Sequence, residues 1–211
     1  MLAVAAALFF ALLSALSGFA SVGSEARSQK ARLIVSRSNG YVEVYLLATG
    51  QDVFGLFQVD PADFSLADGA FDFEAVQQHT SGAADAFAAQ ATLISGDQSV
   101  VAEGISFAAH PPDRVMPFDD PYEALGVIGF CSVEVRDLRI ATNDIGAYLG
   151  IIAKVGTDGP TVLRLPGTLA KPWTLEIVEY DDAVLSASYT TILPAGAVAT
   201  FAFFEETGPA G

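Results

Sequence analysis

The chain is predicted to be mainly β: an antiparallel β-sandwich of the jelly-roll or Ig-like kind, preceded by an N-terminal hydrophobic helix. Three observations carry this. Short β-branched and aromatic runs recur from Ala31 onward, with turn signals between them. Ser38-Asn39-Gly40 separates two such runs, and Asn-Gly favours a tight hairpin because both residues tolerate φ > 0. Ahead of all of them lies Leu2–Leu16, an apolar stretch without a charge, and the first charged side chain is Glu25.

That opening segment has the length of a secretory h-region and small-residue exits at Gly18-Phe19-Ala20 and Ser24-Glu25-Ala26. Residues 1–26 are therefore expected to be a signal peptide or, if retained, an N-terminal membrane anchor. The basic residues follow the apolar run, at Arg27, Lys30, Arg32 and Arg37, a charge order that favours holding the downstream side in the cytoplasm. Export with cleavage and retention as an anchor thus compete, and export is the preferred reading. Residues 27–211 form a single β-sandwich domain on this reading. The proline-rich stretch 110–121 is either a crossover loop or a split into two small β domains.

Taking the elements in order, Ala31–Arg37 and Tyr41–Ala48 are the first hairpin, with Glu43 on the face of Tyr41 and Tyr45 and with Val42 and Val44 opposite. Thr49-Gly50-Gln51-Asp52 is expected to turn the chain into a third strand, Val53–Val59. The acid-rich segment that follows is irregular, with one helical turn at Phe73–Gln78. Ala83–Ala91 is helical on propensity. Ala88–Ser95 and Gln98–Ala108 form a second hairpin around Gly96-Asp97. Beyond the prolines the expected strands are Leu125–Val135, Leu138–Ala141, Gly146–Val155, Thr161–Leu165, Trp173–Tyr180, Ala183–Thr190 and Ala197–Phe204, with a bulge or strand end near Val178-Glu179.

Composition bounds the function. The net charge is −15, with lysine only at positions 30, 154 and 171, so nucleic acid and anionic membrane surfaces are poor partners for the body. The membrane is met only through the N-terminal segment. Cys131 is the sole cysteine, so no disulfide forms within the chain, and its apolar setting points to an inert thiol. Glycine-rich phosphate loops and His-containing zinc patterns are absent, and His79 and His110 each stand alone. Gly104-Ile105-Ser106-Phe107-Ala108 misses the nucleophile-elbow pattern at its last position and lies within a predicted strand.

Oxygen ligands are plentiful. Asp60, Asp63, Asp68, Asp72 and Glu74 fall in one irregular segment and are the candidate calcium ligands, though their spacing does not match an EF-hand. Calcium is the one cofactor considered. The pairs Asp119-Asp120 and Asp181-Asp182 are candidate acids for a carboxylate-dependent hydrolase acting on glycans. The leading functional expectation is an exported protein of the cell envelope, periplasmic or secreted, acting as a non-enzymatic binding or assembly module with a protein or glycan partner. The alternatives are that hydrolase and a membrane-anchored, pilin-like structural subunit. Oligomeric state is not legible.

Overall fold

A computed structural model describes residues 31–78, 80–114, 116–130, 139–155 and 159–204. The expectations placed on the N-terminal segment, His79 and Cys131 lie outside those residues. The described chain is mainly β, built as two antiparallel-rich sheets.

The larger sheet has six strands. β1 (Ala31–Ser38) and β2 (Tyr41–Thr49) are the expected hairpin, and Asn39 and Gly40 take φ of 52° and 77° at its turn. β5 (Ala102–His110), β6 (Gly146–Lys154), β8 (Trp173–Asp181) and β9 (Val184–Leu193) complete it, in the order β5-β6-β2-β1-β8-β9. Every pair is antiparallel except β1 with β8, which run parallel. The smaller sheet has the order β10-β7-β3-β4, from β3 (Thr92–Ser95), β4 (Gln98–Val100), β7 (Thr161–Thr168) and β10 (Val198–Phe203). Both sheets draw strands from each side of the proline-rich stretch 110–121.

Two predicted strands are helices instead. Gly50–Phe57 is α1, not the third strand of a meander, and β6 takes the place beside β2. Thr49 caps it: its Oγ1 accepts from Asp52 N–H at 3.2 Å and donates to the Asp52 carboxylate at 2.8 Å. Gln58 ends the helix in the left-handed region at φ 54°. Val53, Phe54, Leu56 and Phe57 are buried, at a spacing that serves a helix face as well as a strand run.

Within the predicted strand Leu125–Val135, the described part belongs to a helix, Pro121–Phe130, here α4. Asp120 Oδ1 accepts from the N–H groups of Tyr122 and Glu123 at 2.8 and 2.9 Å, while Glu123 Oε2 accepts from Asp119 N–H at 2.8 Å. Proline at the first helical position completes this reciprocal cap. The short helix α2 (Phe73–Gln78) falls where expected, and α3 (Thr80–Ala88) overlaps the expected Ala83–Ala91 but starts and ends three residues earlier.

Hydrophobic packing occupies both faces of the large sheet. Between the sheets, Leu33, Val35, Val44, Leu46 and Leu149 meet Leu163, Phe201 and Phe203. Beside them the rings of Phe54, Phe64, Phe87 and Phe107 cluster, with Phe87 stacked on Phe107 at 4.8 Å. On the outer face, Ile34, Tyr45, Leu47, Tyr148 and Val178 lie beneath Ala124, Val127 and Ile128 of α4. β2 is thus buried on both sides rather than half-buried as its alternation suggested, because α4 covers the second face.

Candidate functional site

Register across three strands sets up a polar row on the outer face. Ser36 on β1 stands opposite Glu43 on β2 and opposite Tyr180 on β8. One row further along the same face comes Tyr45–Ile34–Val178, which is buried under α4. The apolar floor therefore stops where the polar row begins, and the N-terminal turn of α4 overhangs the boundary.

The result is a cavity of about 330 Å³ lined by Ser36, Ser38, Glu43, Asp120, Tyr122 and Tyr180, with Pro121, Leu125 and Ala183 as apolar wall. This lies at the lower end of the size range of small-molecule sites.

Several polar groups in and beside the lining have fixed partners. Tyr45 donates its hydroxyl to Glu43 Oε2 at 3.1 Å, and burial beside that carboxylate pushes the phenol far above its ordinary range. Tyr180 donates to the Asp119 carbonyl at 3.3 Å, and its own phenol is raised by burial and then by Asp120. Ser38 Oγ accepts from the Asn39 amide at 2.9 Å. Arg32, on the same face, is taken up by Glu176 at 2.8 Å, by the Phe118 carbonyl at 2.8 Å and by the Asp119 carboxylate.

A second feature is the far edge of the large sheet. β9 reads VLSASYTTIL, without charge or proline, and Val184, Leu185, Tyr189 and Ile192 are exposed. Among the described residues no strand pairs with its outer side. From Ala183 to Phe204 no side chain is charged. Behind β9, buried Glu179 ties the sheets together: it accepts from Tyr189 O–H at 3.0 Å and from Phe204 N–H at 2.8 Å. Arg37 pairs with Asp181 at 2.6 Å and lies over the Phe204 ring, 4.4 Å from its centroid.

The acids singled out in the sequence have separate tasks. Asp60 caps the 3-10 turn Pro61–Phe64 through Ala62 N–H at 2.9 Å, and Asp72 accepts from Ala75 N–H at 2.9 Å at the start of α2. Asp68 accepts from Ala70 N–H at 3.2 Å and pairs with Arg139 at 3.0 Å. Asp63 and Glu74 are exposed. No three metal-ligating side chains converge among the described residues. Asp120 caps α4 and Asp181 is ion-paired. Arg37 holds the Asp181 carboxyl below its ordinary range, the opposite of what a general acid requires. Ser106 is a strand residue of β5, opposite Gly150.

His110 ends β5 with no exposed surface, edge-on to Tyr148 at 5.1 Å, and among the described residues neither ring nitrogen makes a hydrogen bond of good geometry. Burial, reinforced by Arg114, lowers it to about 4, with the Val127 backbone offsetting this only in part. It is a neutral core histidine.

The sequence pointed to Glu43 only as a face-mate of two tyrosines, and to Asp120 only as half of an acidic pair. Ser36 and Tyr180 carried no signal, since the row exists only through strand register. No protein-family model matches the chain, and none of the curated proteins does. Among the described residues no helix is long and apolar enough to cross a membrane.

Proposed function

We propose that this is an exported protein of the cell envelope that acts as a non-enzymatic binding and assembly module, its open sheet edge pairing with an extended strand of a protein partner. The observation that carries the reading is β9. An edge strand offers a row of unpaired N–H and C=O groups, and sheets ordinarily blunt such edges with lysine, proline or a covering element. β9 has ten residues, none of them charged and none proline. Strand addition to such an edge supplies main-chain hydrogen bonds, and the alternating side chains supply selectivity.

The address rests on the apolar Leu2–Leu16 segment and the acidic composition. We read the body as a sandwich of the jelly-roll or Ig-like kind, with the parallel β1–β8 pair as its departure from that plan. Cleavage after Ala20 or Ala26 makes it periplasmic or secreted; retention of residues 1–26 makes the same body an anchored, pilin-like subunit.

The test is to fractionate cells expressing the full chain, sequence its N-terminus, and photo-cross-link from the exposed position 192 on β9. The expected result is an envelope or extracellular location with a discrete cross-linked species. A cytosolic protein that forms no cross-linked species overturns the reading.

A further inference from the structure

Independently of β9, the cavity under the N-terminus of α4 has a donor–acceptor imbalance that specifies what it takes. Ser36 is only 6% exposed, it lines the cavity, and its hydroxyl meets no hydrogen-bond partner among the described residues. The hydroxyl of this buried residue faces the cavity, where water or a ligand satisfies it.

The hydroxyls of Ser36, Ser38 and Tyr122 can each donate or accept, and the other polar lining groups bring acceptors alone. Tyr180 gives its proton to the Asp119 carbonyl. Glu43 and Asp120, being carboxylates, accept only. Each uses one oxygen within the protein: Oε2 for Tyr45, and Oδ1 for the α4 cap. Among the described residues no Lys or Arg lines the cavity. What remains is a surplus of acceptors and negative charge, bordered by Leu125 and by Tyr122, which is 75% exposed.

We propose that this cavity binds a primary ammonium group carried on a short apolar stem, with Glu43, Asp120 and Ser36 receiving its N–H groups and Tyr122 and Leu125 packing the stem. An ammonium fits because it brings three donors and no acceptor. Aromatic faces beside it add cation–π attraction. A neutral sugar finds donors in the Ser36, Ser38 and Tyr122 hydroxyls but leaves the charge of Glu43 and Asp120 unmatched. A divalent metal would require more converging carboxylates than the described residues supply. The positive end of α4 does not oppose the cation, since Asp120 and Glu123 are already placed on it. The ammonium can belong to a free amine or to the lysine side chain of another protein.

The experiment is calorimetric titration of the full chain, in detergent where its N-terminal segment is retained. The probes are n-butylammonium chloride, Nα-acetyl-lysine-N-methylamide, neutral n-pentanol and calcium chloride. Saturable binding is expected for one or both amines, and weak or no binding for pentanol and calcium. Tighter butylammonium points to a free amine, and tighter capped lysine points to a protein side chain. Glu43→Gln should weaken the amine by about tenfold or more, and Ser36→Ala by severalfold. Tyr122→Ala, on an exposed site that leaves the fold intact, should also weaken it severalfold. Asp63→Asn, far along the chain and exposed, should change nothing. Equal binding of pentanol or calcium, no saturation by either amine, or undiminished affinity in both Glu43→Gln and Tyr122→Ala overturns the proposal.

Discussion

The two edges of the six-stranded sheet are treated in opposite ways. At one edge, β5 is packed by α3 and α4, and Phe107, Ala109 and His110 on it are buried. At the other, no element among the described residues covers β9, and most of its side chains reach solvent. The first edge gains stability from aromatic packing and tolerates a buried polar ring. The second gains little from burial and keeps its backbone available. One sheet thus divides its labour between holding the fold and presenting a surface.

That contrast can be broken most severely at Phe107. Its ring stacks on Phe87 and touches Phe64, so Phe107→Ala should cost about 3–5 kcal/mol in urea unfolding. A loss under about 1 kcal/mol would mean that the β5 edge is not the structural one.

Next comes the histidine at the end of that edge. The unfolded chain takes up a proton near the ordinary histidine pKa of 6.5, whereas folded His110 does so only near 4. Between those values the unfolded state binds more protons, so this contribution is whole above pH 6.5 and is lost as pH falls towards 4. The full span is worth about 3 kcal/mol at most. His110→Phe should remove that portion of the acid slope. A difference between wild type and variant that stays constant from pH 7 to pH 4 would contradict the assignment.

A smaller effect is expected where the open edge is tied to the second sheet. Glu179→Gln weakens the charge-assisted bonds from Tyr189 and Phe204 and should cost about 1–2 kcal/mol by denaturant midpoint. It should also speed amide exchange in β10 more than in β5. Smallest of all, Ser188→Lys with Thr190→Lys places charge on exposed β9 positions and should change stability by no more than about 0.5 kcal/mol. The same pair should abolish cross-linking from β9, since lysine on an edge discourages strand addition. Full stability with undiminished cross-linking would remove β9 as the pairing surface.

The sequence was most informative where structure is local. Asn39-Gly40 placed the first turn, and the broken alternation at Val178-Glu179 marked the register shift between Glu179 and Tyr180. It misled where an apolar run fits two periods. Val53–Val59 reads as a strand until Thr49 and Asp52 are recognised as a cap, and Leu125 onward does so until Asp120-Pro121 is recognised as one. The candidate calcium acids were grouped by proximity along the chain, yet short-range turns and caps occupy most of them separately. The cavity was illegible for the converse reason. Ser36, Glu43, Asp120 and Tyr180 are brought together by a parallel pairing and a helix cap that no spacing encodes.

The parallel partnership of β1 and β8 also fixes when the protein can fold. Arg32 and Glu176, bonded across it, are 144 residues apart in the chain. A contact that distant carries a large loop-closure entropy and forms late. β1 therefore lacks one of its two neighbours until Asp181 has been made, and a nascent chain shorter than that holds an unfinished sheet with a bare central strand. Such a chain exposes one unpaired side of β1 through most of its synthesis, the kind of surface that misassembles or is held by a chaperone.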